Sequence, residues 1–101
     1  MSRSDAPLEK EIQAAILKYL KGRPGGFSVK LAAGPYTLPG LPDILHVEGG
    51  VPYFIEVKRP GGKPTKLQAA VMDKLSAAGA VVAVATAVEE VKTLVKGRQK
   101  A

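Results

Sequence analysis

The stretch LPDILHVEGGVPYFIEVK, residues 41–58, constrains the fold more than any other part of the chain. Two largely apolar runs flank Gly49-Gly50, and a two-residue loop of that composition closes an antiparallel hairpin. Closing it there pairs Glu48 with Val51, Ile44 with Ile55 and Asp43 with Glu56. Side chains directly opposite one another have Cβ atoms roughly 5 Å apart, so two carboxylates face each other across neighbouring strands. Like charges in that position destabilise a sheet unless a cation sits between them. Lys58, two residues beyond Glu56, projects from the same face.

The rest of the chain supplies a setting for this hairpin. Residues 6–21 place Leu8, Ile12, Ala15, Ile16, Tyr19 and Leu20 on one face at helical spacing, with Pro7 suited to a first turn. Gly22, Pro24, Gly25 and Gly26 end that helix. Residues 27–32, FSVKLA, read as a strand, and 34–42, with three prolines and two glycines, as a loop. The hairpin strands run over 44–47 and 52–58, with apolar residues on both faces, as in strands covered on both sides. After a second loop at 60–64 comes a helix over 65–78, with Leu67, Val71, Met72 and Leu75 inward and Gly79 as its stop. Residues 80–86, AVVAVAT, read as a buried strand. A last helix opens at a Thr86-x-x-Glu89 capping box and turns Val88, Val91, Leu94 and Val95 inward. The basic tail from Lys96 is expected to fray. The order αβββαβα implies an α/β fold with a mixed sheet of about four strands flanked by helices.

At 101 residues the chain makes one domain over 1–101, with 1–5 and 97–101 expected to be flexible. It has no cysteine, which excludes a disulfide framework, a thiolate zinc site and a cysteine nucleophile. A lone histidine, His46, argues against a histidine-built zinc site or a Ser-His-Asp triad. The N-terminus lacks an apolar core and no run reaches membrane-spanning length, so a cytoplasmic protein without a membrane partner is expected. Fifteen basic against nine acidic residues give a net charge of +6. A pI near 9.7 suits a nucleic-acid partner, although the same charge also makes a solvated surface.

Asp43 after Pro42 also fits an ordinary turn aspartate. Glu56 lies within an apolar strand, where a carboxylate is costly to bury unless paired. It could pair with Lys58 in a purely structural way. Taken together, two acids able to hold a divalent metal beside an ammonium point to metal-assisted attack on a phosphodiester. Oxygen ligands favour Mg²⁺ or Mn²⁺ over zinc, and Mg²⁺ needs only one or two carboxylates besides water and substrate phosphate. No organic cofactor is expected.

Pro42-Asp43 followed by Glu56-Val57-Lys58 resembles the PD-(D/E)XK nuclease signature. The longer pattern is Gly40-Leu41-Pro42-Asp43, then FIEVKRPGG from Phe54 to Gly62, Gln68 in the next helix and Gly79 before a valine-rich strand. It resembles the VRR-NUC branch of that superfamily in a stand-alone form, over about residues 9–94. The resemblance implies a restriction-endonuclease-like αβββαβ core with an extra C-terminal helix. It implies Asp43 and Glu56 as metal ligands, with the backbone carbonyl of Val57 as a third. Lys58 would orient or deprotonate water and stabilise transition-state charge. Gln68 would be an auxiliary site residue, although Thr65-x-x-Gln68 is also a capping box.

The resemblance also implies a glutamate on the first helix, and both Glu9 and Glu11 qualify. At about 100° per residue, Glu9 lies roughly 60° from the centre of the apolar stripe and Glu11 roughly 100°. Glu9 is therefore the expected ligand, directly or through water. Lys30, Arg59, Lys63 and Lys66 are candidate DNA contacts. Lys30 is equally readable as a surface lysine, and His46 and Tyr53 as structural. The implied activity is Mg²⁺- or Mn²⁺-dependent endonucleolytic cleavage of DNA, with flaps or four-way junctions as substrate and a homodimer as the working form. The alternatives are a non-catalytic nucleic-acid-binding module and a nuclease subunit of a larger DNA-processing complex.

Overall fold

In the computed structural model, which describes residues 7–31 and 37–99, the elements run α1 (Glu9–Lys21), β1 (Gly26–Lys30), β2 (Ile44–Glu48), β3 (Val51–Val57), α2 (Lys66–Ala77), β4 (Val81–Ala85) and α3 (Val88–Gln99). One sheet carries the strands in the order β1-β2-β3-β4. β1, β2 and β3 are successively antiparallel, and α2 carries the chain across to β4, which lies parallel to β3. The expectations for residues 1–5, for Ala32, for 34–36 of the first loop and for 100–101 fall outside the described residues.

The central hairpin has the expected register, with Glu48 opposite Val51 and Ile44 opposite Ile55. Gly49 and Gly50 have φ of 60° and 77°. Only a turn with both central residues left-handed matches the twist of the flanking strands across two residues, so the Gly-Gly pair sets the register. From that register, alternation decides which side chains go to which face.

One face forms the core. Ile44, Tyr53, Ile55, Val57 and Ala85 of the sheet pack with Ile12, Ile16 and Leu20 of α1 and with Val91 and Val95 of α3. Each such side chain, removed from water, contributes about 1.5–3 kcal/mol. α1 starts at Glu9 instead of residue 6. Leu8 is extended (φ −76°, ψ 153°) and its N–H donates to Glu11 Oε1 at 2.8 Å, leaving Pro7 ahead of the helix. Ala15 and Leu8, expected inward, are exposed.

The opposite face departs from expectation. α2 packs beside β4 and buries only Val71, so a single helix serves a four-stranded face. Phe27 is 66 % exposed, and Val29 and Val84 are each 37 % exposed. β4 forms an edge and buries only Ala85 fully. Leu67, expected inward, is 54 % exposed. α3 opens at Val88, which makes Glu90 its third residue. Glu90 Oε1 therefore accepts from Thr86 N–H at 2.6 Å and from Thr86 Oγ at 3.2 Å, and Glu89 instead pairs with Lys92 at 3.2 Å. The helix continues through Gln99. Among the described residues no helix is long and apolar enough to cross a membrane.

Candidate active site

Asp43 sits one residue before β2, where both of its backbone groups are engaged. Its N–H donates to the Ile55 carbonyl at 3.0 Å, and its own carbonyl accepts from Leu31 N–H at 2.8 Å. Pro42, which has no N–H to satisfy, is buried just ahead of it. The Asp43 side chain then reaches the end of β3, where Oδ2 accepts from Val57 N–H at 2.7 Å. The residue is thus held through its backbone and through one carboxylate oxygen.

Glu56 comes from β3, across from Asp43, and is 1 % exposed. Its Oε2 lies 3.5 Å from Lys58 Nζ, on the same face of the strand as the i, i+2 spacing requires. Its Oε1 is buried with no hydrogen-bond partner among the described residues. Burial pushes the Glu56 carboxyl up to about 7, with the Asp43 carboxylate adding to the rise. Lys58 opposes it, and Glu9 contributes a smaller rise. A buried carboxylate oxygen without a donor is costly. The cost is relieved by whatever brings positive charge to that oxygen.

These residues fit a hard divalent cation. Two carboxylates converge at the end of β3, one with an unsatisfied oxygen, and a cation between them removes both the repulsion and the desolvation penalty. Val57 supplies a backbone carbonyl at the same strand end. Among the described residues no three Asp, Glu or His side chains gather into a closed cage. Glu9 is exposed at the first turn of α1, near enough for its charge to act on Glu56. Glu11 is occupied by the Leu8 N–H.

Gln68 is half-buried at the start of α2 and forms a complete capping box. Its Oε1 accepts from Thr65 N–H at 2.9 Å while its own N–H donates to Thr65 Oγ1 at 3.1 Å. Its side-chain oxygen is thus committed to the helix start. Arg59, Lys63 and Lys66 are exposed along the segment joining β3 to α2, directly after the candidate site. Lys30 differs from them. It pairs with Ile44, so alternation turns it to the face opposite Asp43 and Glu56.

Arg23, Ser28 and Leu38 were not singled out in the sequence. Arg23, through Glu48 and His46, joins Ser28 in a buried network at the hairpin end of the sheet. Leu38 and Leu67 form an exposed apolar pair beside the segment leading to Asp43. The signal for Leu38 was the position of a leucine within a Pro/Gly loop.

The sequence matches no protein-family model and no curated protein. The fold is similar to solved structures. One, described as a "VRR_NUC domain", is 28 % identical over 87 % of this chain and 94 % of that one, with a TM-score of 0.72. Another, a "VRR_NUC domain protein", is 17 % identical over 90 % of this chain and 87 % of that one, with a TM-score of 0.74. This chain therefore has the VRR-NUC, restriction-endonuclease-like fold of a nuclease-type domain.

Proposed function

We propose that the protein is a Mg²⁺- or Mn²⁺-dependent DNA endonuclease that prefers flapped or four-way-junction DNA and acts as a homodimer. The observation that carries this reading is the buried, partnerless Oε1 of Glu56, across the sheet from Asp43 and beside Lys58. Asp43, Glu56 and the Val57 carbonyl are the proposed ligands, with Glu9 acting through water. A cation held there would supply Lewis-acid chemistry at the phosphate and at a water molecule.

The chain's own groups have distinct roles. Asp43, fixed by Val57 N–H, keeps its charge at the strand end. Lys58 holds its ammonium against Glu56 and stabilises negative charge as it grows on the phosphoryl oxygens. Gln68, locked by its cap, sets the start of α2 beside the site. Arg59, Lys63 and Lys66 grip the phosphates on either side of the cleaved bond, and Lys30 makes a contact from the far face. A domain this small has little surface for reading base edges, so shape and phosphate contacts dominate selectivity. The exposed apolar sheet face at Phe27, Val29 and Val84 supports a two-fold partner.

The test is incubation with linear duplex, flap and four-way-junction DNA in Mg²⁺, Mn²⁺ or EDTA, alongside Asp43→Ala and Glu56→Ala. Metal-dependent cleavage leaving 5′-phosphate and 3′-hydroxyl ends, lost in both variants, is expected. Cleavage that survives EDTA or either substitution defeats the metal-site reading. Binding without cleavage makes the domain a non-catalytic module.

A further inference from the structure

Behind the segment leading into Asp43 lies a groove of about 390 Å³. Leu38 and Leu41 wall one side, and Leu67, Val71 and Leu75 of α2 wall the other, with Lys74 at its edge. Its volume falls in the roughly 300–1,000 Å³ range of small-ligand pockets. Two of its wall residues stand largely in water, Leu38 at 60 % and Leu67 at 54 % exposure. The groove is shaped by close backbone approach. Gly40 has φ +84°, and a Cβ there would lie 2.9 Å from Leu67 Cγ and 3.1 Å from Val71 Cγ2. Any side chain at this position would push the loop off the helix.

The surroundings indicate what such a groove accepts. Lys74 lines it, Lys66 opens the same helix, and Arg59 and Lys63 lie on the preceding segment. The first turn of α2 carries no acid. An apolar slot edged with ammonium groups complements a polyanion that can offer a flat apolar face. Nucleic acid with a base out of its stack meets that description. The groove's wall leads along the chain toward the candidate site, since Leu41 is two residues before Asp43 and Leu67 directly precedes Gln68.

We propose that this groove receives one unpaired base of the bound DNA beside the Asp43–Glu56 site, with Leu38 and Leu67 as the wedge that keeps it unstacked. The proposal rests on the nuclease reading above and deepens it by assigning the preference for branched DNA to named side chains. Extracting a base costs least where it is already unpaired, as at a flap or junction. A paired duplex presents no base face to the groove and gains nothing from it.

The test uses flap DNA with 2-aminopurine at the unpaired nucleotide beside the branch, titrated with the whole protein in EDTA so that binding is read without cleavage. The wild type is expected to change the 2-aminopurine emission on binding. The double variant Leu38→Ser/Leu67→Ser is expected to lose that change, and its ratio of flap to duplex affinity is expected to fall about ten-fold, the scale of one lost base contact. Leu38→Met/Leu67→Met, which keeps apolar walls, is expected to retain both. The proposal is overturned if the wild type binds flap DNA without altering the emission or fails to bind it. It is equally overturned if the serine variant keeps the wild-type ratio, or if the methionine variant loses it to the same extent. A groove signal in EDTA with no cleavage on adding Mg²⁺ sinks the nuclease reading while leaving the base site standing.

Discussion

Glu48 and Glu56 are both carboxylates buried in the same small sheet, 7 % and 1 % exposed, and their environments push them in opposite directions. Glu48, at the hairpin end of β2, accepts two bonds from Arg23 at 3.1 and 2.6 Å and lies 2.9 Å from His46 Nε2. His46 in turn contacts Ser28 Oγ at 2.6 Å through Nδ1. The Arg23 guanidinium, ahead of the opposing effect of burial, holds the Glu48 carboxyl below the ordinary range. Glu56, at the other end of the sheet, has one ammonium at 3.5 Å and an orphaned oxygen, and burial wins. The contrast teaches that burial alone does not decide ionisation. The number of donors aimed at the oxygens decides it, and a site short of donors is one that a cation can complete.

The comparison is broken most directly by activity. Asp43→Ala or Glu56→Ala is expected to lower metal-dependent DNA cleavage at least a thousand-fold, the scale of losing a principal electrostatic group. Glu48→Gln is expected to leave measurable cleavage in the folded fraction. Rates normalised to folded protein decide the matter. If Glu48→Gln abolishes cleavage as completely as Glu56→Ala, the two acids are not functionally distinct.

Stability should show the reverse order. Glu48→Ala strands the Arg23 guanidinium, which is 19 % exposed, and is expected to cost about 3 kcal/mol. In a domain this size that lowers Tm by more than roughly 10 °C, measurable by thermal unfolding.

Glu56→Gln removes a buried charge and is expected to stabilise the metal-free protein at pH 8 by about 1–3 kcal/mol. The sign follows from linkage. Glu56 binds its proton up to about pH 7 when folded and to about 4.5 when unfolded, so its contribution is fully present below 4.5. That contribution is lost as pH rises through 7. Glu48, with its lowered pKa, contributes above about 4.5 and loses that contribution on acidification. Plotted against pH, the stability of Glu56→Gln therefore lacks the fall that Glu56 causes between about 4.5 and 7. An unchanged slope would show that Glu56 does not titrate there.

The smallest effect is on cation affinity. A divalent ion must displace the Glu56 proton, so Mg²⁺ or Mn²⁺ affinity is expected to fall up to about ten-fold per pH unit below 7 and to level off above it. Calorimetric titration at pH 6, 7 and 8 measures this. A flat profile would place the ion away from Glu56.

Much of the fold was legible because its signals are local and periodic. The spacing of Ile12, Ile16 and Leu20 marks the inward stripe of α1 without reference to anything distant. The Gly-Gly turn fixes which residue of β2 meets which of β3, and with it the meeting of Asp43 and Glu56. Where the local pattern misled, packing or helix placement overrode it. Leu67 has the spacing of an inward residue, yet a helix beside one edge strand buries only Val71. Phe27 and Val29 lie on β1, yet the described helix on that face, α2, packs beside β4 at the other edge of the sheet. The Glu89 cap failed by one position because the helix begins one residue later than the apolar pattern suggests. Lys30 is set by cross-strand parity on the face opposite Asp43 and Glu56, which its spacing alone did not show.

The sequence by itself determined the order of elements, the hairpin register and the presence of two acids and an ammonium on one strand face, because turn chemistry and side-chain period act over a few residues. Only the tertiary structure decided how those groups are satisfied. Whether an oxygen finds a donor depends on residues far apart in the chain, as Arg23 is from Glu48, and on which face a helix covers. The Asp43–Val57 bond, the partnerless oxygen of Glu56 and the open groove beneath Gly40 are therefore properties of the packing.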